Sequence, residues 1–333
     1  MTNVAVIGDG QMGLVMADAL VERGVEVRLW GPFPSHVDDL AERRKSARLT
    51  GFMLSDAVHV TPNASEAFCD VDVAINAIPT QFIRNVWSGL SSCVPSGVPI
   101  ACVAKGIEIG TNLLPTQIIE EQLSGCNPTC VLSGPTIATE LVRRQPAVMV
   151  SSSIDESVAK QVQDLFDVPW LRIYTHGDPL GVELAGALKN VIAIAAGICD
   201  GMALGDNAKS AMLTRGLAEI SRLGASLGAE LETFFGIAGV GDLATTCFSP
   251  HGRNRTCGER LGRGEDLKTI TETMGSVVEG VSTTKAVYAL AKKQGIEMPI
   301  ASVMYRVLFE QLPIKDAITS LMSRDLRAEK LRG

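Results

Sequence analysis

The run Gly8-Asp9-Gly10-Gln11-Met12-Gly13 stands directly after an apolar, β-branched stretch, Asn3–Ile7, and opens an amphipathic segment, Gly13–Arg23. A G-x-G-x-x-G in that position asks for a tight turn at Gly8, close approach of a pyrophosphate to the backbone at Gly10, and close helix–strand packing at Gly13. The helix that follows offers unpaired N–H groups and the favourable end of its dipole to an anion. The spacing alone also marks ordinary turns. Its setting between a first strand and a first helix makes a dinucleotide the expected ligand, NAD or NADP, and commits the N-terminal part to βαβ construction. Asp9 is unusual in such a loop, and its side chain is expected to turn away from the pyrophosphate.

The acid that takes the adenosine ribose of NAD at the end of a second strand has no counterpart here, because Trp30-Gly31-Pro32-Phe33 occupies the place. Nothing in the linear sequence then repels a 2′-phosphate, and both NADH and NADPH are expected to serve. Arg43, Arg44, Lys45 and Arg48 follow, and either one of them meets the phosphate or all four face solvent.

Short β-branched runs alternate with helical patterns through the first half, which is the signature of parallel strands joined by helices. The strands expected are Asn3–Ile7, Val25–Trp30, Val58–Thr61, Val73–Ala77, Pro99–Val103, Thr129–Leu132, Ala147–Ser151 and Leu171–Thr175. Helices are expected at His36–Arg44, Gln81–Leu90, Leu113–Leu123 and Glu156–Phe166. After the turn-forming His176-Gly177-Asp178-Pro179 the character becomes helical, at Val182–Cys199, Ala208–Leu227, Leu267–Met274 and Ser282–Gln294. With 333 residues the chain exceeds what one core usually supports. The fold class is therefore an α/β Rossmann-like doubly wound sheet over residues 1–178, followed by an all-α domain over residues 179–333. From Arg324 the tail is charged and expected to be solvated.

A net charge of −7 argues against nucleic acid or an anionic membrane as the main partner. Any phosphate must instead meet basic residues gathered locally. The cysteines lack metal-ligand spacing, so no metal is expected. The chain starts straight into a strand with no leader-like region, and Val182–Cys199 is interrupted by Glu183, Lys189 and Asn190. The reading is a cytoplasmic protein without stable membrane insertion.

Several polar residues interrupt this pattern where ligands bind. Lys105, after the strand Pro99–Val103, falls at a strand's carboxyl end. Ser133-Gly134-Pro135-Thr136 precedes a helix-like Ile137–Arg144, either as an N-cap or as a ligand contact. Lys189 shares a helical face with Ala185, Gly186, Ala193, Ala196 and Gly197, a stripe that something approaches closely, another helix or a ligand. Half burial and a second lysine both ease loss of its proton, so Lys105 and Lys189 in one pocket would poise an acid/base near neutral pH. The alternative is a lysine snorkelling from a helix contact. Asp242, following the glycines of the expected loop Gly239-Val240-Gly241-Asp242-Leu243, is an N-cap, or else it bonds a substrate hydroxyl or orients a lysine. Ser249-Pro250-His251-Gly252-Arg253-Asn254-Arg255 is the local basic cluster, suited to bidentate phosphate recognition by Arg, or simply a solvated face.

Taken together these motifs resemble the bacterial-type NAD(P)-dependent glycerol-3-phosphate dehydrogenase family over nearly the whole chain. Lys189-Asn190-Val191-Ile192-Ala193, Thr214-Arg215-Gly216-Leu217-Ala218-Glu219 and Val278-Glu279-Gly280 add to the motifs above. The resemblance implies that Lys189 is the acid/base of a reaction between dihydroxyacetone phosphate and sn-glycerol 3-phosphate, which feeds phospholipid synthesis. It implies that Lys105, Gly134, Thr136, Lys189, Asp242, Gly252, Arg253 and Asn254 line the substrate site. Gly8, Gly10, Gln11, Met12, Gly13, Lys105, Ala138, Arg253, Val277 and Glu279 would then surround the cofactor, in a homodimer. Gly252 departs from a family Ser, and Asp9 from a small apolar residue. The rivals are a related dehydrogenase of 3-hydroxyacid or ketopantoate type, which needs a carboxylate pocket, and a nucleotide sensor without chemistry.

Overall fold

The computed structural model describes residues 2–275 and 277–325. The chain divides into two compact units: Met1–Ala104 with Pro115–Pro179, and Lys105–Leu114 with Leu180–Gly333.

The first unit is built on one eight-stranded sheet. Its strands are β1 (Asn3–Ile7), β2 (Glu26–Trp30), β3 (Val58–Thr61), β4 (Val73–Asn76), β5 (Ile100–Cys102), β6 (Thr129–Ser133), β7 (Ala147–Ser152) and β8 (Leu171–His176). They lie in the order β3-β2-β1-β4-β5-β6-β7-β8. Strand β1 pairs in parallel with β2 on one side and β4 on the other. Buried on both faces, it carries an uninterrupted apolar run, Val4 to Ile7. Leu14, Met16 and Leu20 of the helix Gln11–Glu22 pack with Val4, Val6, Val27 and Leu29 in the unit's core.

The strands match the expected ones to within about a residue at each end, but their directions do not all match. Strand β7 runs antiparallel to β6, while β8 is parallel to β7. The cause lies between β6 and β7. The helix expected over Ile137–Arg144 is one turn, Ala138–Leu141, followed by a left-handed Arg144 at φ 58°. One turn of helix cannot carry the chain back along the sheet, so it returns in the opposite sense.

The second unit is helical, with a long central helix, Pro179–Gly201. That helix has 23 residues, more than the sequence pattern suggested, and is long and apolar enough to cross a membrane. Every residue from Gly181 to Cys199 is buried, so its apolar surface is spent on the unit's own core. The small-residue stripe is explained by a second helix, Arg253–Gly262. A Cβ at Gly197 would overlap the Arg255 carbonyl, and one at Gly258 the Ile194 carbonyl. This second helix and Asp242–Phe248 were not expected from the pattern, because apolar residues are sparse in RNRTCGERLG. The segment Lys105–Leu114 adds Ile107 and Leu114 to the same core. Helices Pro299–Phe309 and Ile314–Met322 end the described chain. In the tail, Arg324 pairs with Glu297, and residues 326–333 lie outside the described residues.

Candidate functional site

At the carboxyl end of β1 each glycine of the loop has its own reason. Gly8 holds φ +120°, and a Cβ there would stand 3.0 Å from the Ala77 carbonyl. A Cβ on Gly13 would collide with the Gly8 carbonyl oxygen. Gly10 differs: around its Cβ position nothing lies within 4 Å. It caps the helix Gln11–Glu22 in extended conformation, with no side-chain cap and no acid in the first turn. This open cradle over uncapped helix N–H groups fits the pyrophosphate of a dinucleotide. Gln11 Nε2 donates to the Arg48 carbonyl at 2.5 Å, and Met12 packs on the apolar core.

Asp9 is buried, 6% exposed, and accepts from Arg48 Nη1 at 2.9 Å. Its carboxyl turns to Gly31, just past β2. Of the four basic residues downstream, Arg43 pairs with Asp39, and Arg44 donates to the Val58 carbonyl and pairs with Asp56. Lys45 forms an isolated bridge with Met53. Arg48 is the one joined to the glycine loop.

Past β6, Gly134 sits at φ +148° and Thr136 Oγ1 donates back to the Gly134 carbonyl at 3.1 Å. Thr136 is therefore not an N-cap; Ile137 takes that place, without a side-chain bond. The short helix carrying Ala138 packs against Gln11–Glu22.

The second unit holds a cluster built on one carboxylate. Asp242, 1% exposed, opens the helix Asp242–Phe248 after a π-type turn, Ile237–Gly241, kinked at Gly239. It therefore lies in a helix rather than a loop. Lys189 Nζ donates to its Oδ1 at 2.5 Å and Lys105 Nζ to its Oδ2 at 2.7 Å. Lys189 also donates to Thr246 Oγ1 at 2.6 Å. Burial of Lys189 pulls its pKa down to about 8; the Asp242 carboxylate opposes that shift, and the Lys105 charge adds to it. The cluster carries two cations for one anion, with Lys105 the more open member. Such an arrangement can hold an anionic oxygen and move a proton to or from it.

A chain of hydrogen bonds between amide groups runs beside it. Asn190 Nδ2 donates to the Lys105 carbonyl at 3.4 Å, Asn254 Nδ2 to Asn190 Oδ1 at 2.9 Å, and Gly280 N to Asn254 Oδ1 at 2.9 Å. Asn254 is thus committed to internal bonds. Its neighbour Arg253 is exposed at the start of Arg253–Gly262 and donates to the Val277 carbonyl at 3.2 Å. Glu279 lies close enough to act on the Arg253 charge. Gly252 is that helix's N-cap and supplies no side-chain bond, which is what a Ser there would add.

The residues expected from sequence therefore fall into two sets. Gly8, Gly10, Gln11, Met12, Gly13, Gly134, Thr136 and Ala138 belong to the sheet unit. Lys105, Lys189, Asp242, Gly252, Arg253, Asn254, Val277 and Glu279 belong to the helical unit. Sequence reasoning passed over Thr246 and gave Asn190 no role. Thr246 lies four residues from Asp242 on one helical face, a spacing that links the two once the helix is known.

Two family descriptions match: NAD-dependent glycerol-3-phosphate dehydrogenase N-terminus over residues 3–159, and the C-terminus of the same family over residues 178–319. A glycerol-3-phosphate dehydrogenase [NAD(P)+] of Staphylococcus haemolyticus is 45% identical over 332 residues, spanning 99% of this chain and 100% of the relative. Its counterpart in Pelodictyon phaeoclathratiforme is 42% identical, spanning 98% and 99%. The crystal structure of glycerol-3-phosphate dehydrogenase from Coxiella burnetii superposes with a TM-score of 0.93 at 33% identity, covering 97% of this chain and 99% of that one.

Proposed function

The chain belongs to the NAD-dependent glycerol-3-phosphate dehydrogenase family, and from that premise we propose that Lys189 is its catalytic acid/base and Arg253 its phosphate reader. The reaction interconverts dihydroxyacetone phosphate and sn-glycerol 3-phosphate with NAD(H) or NADP(H), the product serving phospholipid synthesis. The observation that carries the assignment is the buried Lys189–Asp242–Lys105 cluster.

A bound nicotinamide supplies the hydride in reduction and takes it in oxidation. In reduction the carbonyl oxygen gains negative charge, and Lys189 delivers its proton to that oxygen. Asp242 aims the ammonium, and Thr246 fixes its second direction. Lys105 adds a cation that favours the developing charge. Arg253 offers its guanidinium to the phosphate, and Asn254 holds the start of that helix to Asn190 and Gly280. Gly8, Gly10, Gln11, Met12 and Gly13 form the cofactor cradle. Gly134 and Thr136 are assigned to substrate, Gly252 with them, and Ala138, Val277 and Glu279 to cofactor. The same reading takes the enzyme to be a cytoplasmic homodimer, which sedimentation velocity checks.

The direct test follows NADH absorbance with dihydroxyacetone phosphate, and with ketopantoate and a 3-keto acid as alternatives. Turnover of the phosphate ester alone supports the assignment. Turnover of a keto acid instead, or of nothing, overturns it.

A further inference from the structure

Gly31, the first residue past strand β2, carries no side chain, yet the space beside it is not empty. A Cβ on Gly31 would stand 2.9 Å from Asp9 Cγ and 2.8 Å from Val37 Cγ2. The carboxyl of Asp9, rising from the glycine loop, fills the place where a side chain at the end of β2 would begin. In dinucleotide-binding folds an acid at this strand end receives the ribose hydroxyls of NAD and repels the 2′-phosphate of NADP. Here the strand end is bare and the acid arrives from the loop.

Among the described residues the cation paired with Asp9 is Arg48, through Nη1 at 2.9 Å. Arg48 is held from two further sides: its carbonyl accepts from Gln11 Nε2 at 2.5 Å, and its Nη2 meets His36 Nδ1 at 3.2 Å. The side chain of Arg48 is 37% exposed and that of Asp9 only 8%. A 2′-phosphate drawn to Arg48 would have to pull it from a buried carboxylate, and leaving such a charge unpaired is costly. Ribose hydroxyls ask for no such separation. They donate to Asp9 while Arg48 stays where it is.

We propose that Asp9 is the ribose-recognising acid of this chain and that the Asp9–Arg48 pair makes it prefer NADH to NADPH. This rests on the dinucleotide reading of the glycine loop. It also ranks the two cofactors that the bare strand end leaves both acceptable. Asp9 sets the rank, and Arg48 is its counter-charge.

The test is direct binding, with Kd for NADH and for NADPH measured by fluorescence titration and calorimetry, without substrate. Wild type is expected to bind NADH tighter by about tenfold or more, a difference of ~1.4 kcal/mol. Asp9→Asn, which keeps the shape and removes the charge, should free Arg48 and bring the ratio to unity or reverse it. Arg48→Gln should widen it. A wild type that binds both cofactors equally, or NADPH better, overturns the proposal without needing any variant to fold. So does an Asp9→Asn protein that binds both cofactors with the wild-type ratio. Failure of wild type to bind either dinucleotide sinks the dinucleotide reading itself, which is a separate outcome. A paired titration with 5′-AMP and 2′,5′-ADP isolates the ribose end and should show the same ranking.

Discussion

Lys189 sits between opposed influences: burial and Lys105 favour its neutral amine, while Asp242 favours the ammonium. With the balance near 8, a proton is on the nitrogen below that pH and off above it. On the proposed role reduction needs the proton, so its kcat/KM is expected to fall as pH rises through about 8. Oxidation needs the free amine and should rise over the same interval. Asp242→Asn removes the influence that holds the value up, so both limbs should move to lower pH. Lys189→Met should cost two to four orders of magnitude, roughly, in turnover with NADH affinity unchanged by titration. Turnover near wild type in that variant would remove Lys189 from the chemistry. Arg253→Ala belongs to the same scale. If it reads phosphate, dihydroxyacetone phosphate should lose one to two decades in apparent affinity, about 1.5–3 kcal/mol. Unphosphorylated dihydroxyacetone should lose little, and an equal loss for both refutes the assignment.

Among the elements, the helix Pro299–Phe309 begins on a buried acid from elsewhere in the chain. Glu219 accepts from Ile300 N at 2.8 Å and from Ala301 N at 3.3 Å, an N-terminal cap supplied across 81 residues. Burial nevertheless pushes its pKa up to about 7, against the pull of those N–H groups. The folded state then holds a proton that the unfolded chain releases near 4.5. The stability this contributes is complete below pH 4.5 and is lost as pH climbs through 7. Relative to Glu219→Gln, which does not titrate, wild type should lose about 3 kcal/mol across that window, measured by urea unfolding at several pH values. Parallel pH profiles for the two proteins would contradict this. Elements of this kind differ in how far sequence reveals them. The strands were legible because buried parallel strands need unbroken apolar runs rich in β-branched residues, as in Val4–Ile7. The reversal at β7 was not, because it follows from the shortness of Ala138–Leu141, which ends where pattern alone continues to Arg144. Helix Arg253–Gly262 hid behind its charges, since it packs through Gly258 and Cys257 rather than through an apolar stripe. The site was legible as residue types in suggestive places. That Lys105 and Asp242 share a carboxylate oxygen contact was not, for they are 137 residues apart. Nor was the acid beside β2, because Asp9 meets its partner across 39 residues.

For the molecule as a whole, the excursion Lys105–Leu114 matters most. The helical unit draws Ile107 and Leu114, both essentially inaccessible, from a stretch that interrupts the sheet unit. A fragment spanning 180–333 therefore lacks two core side chains, worth roughly 3–6 kcal/mol together at 1.5–3 each. It is expected to show weak near-ultraviolet dichroism and a broad unfolding transition. Grafting residues 105–114 to it through a flexible linker should sharpen both, and a fragment that folds cooperatively without them would refute the dependence. The same excursion sets an order of events during synthesis. Residues 105–114 leave the ribosome before the helices they will join have been made. At ordinary translation rates the remaining chain, about two hundred residues, takes roughly ten to forty seconds to follow. Through that interval Ile107 and Leu114 have no core to enter while the flanking strands already can pair, so the nascent chain carries an apolar loop open to chaperones and proteases until its last third is complete.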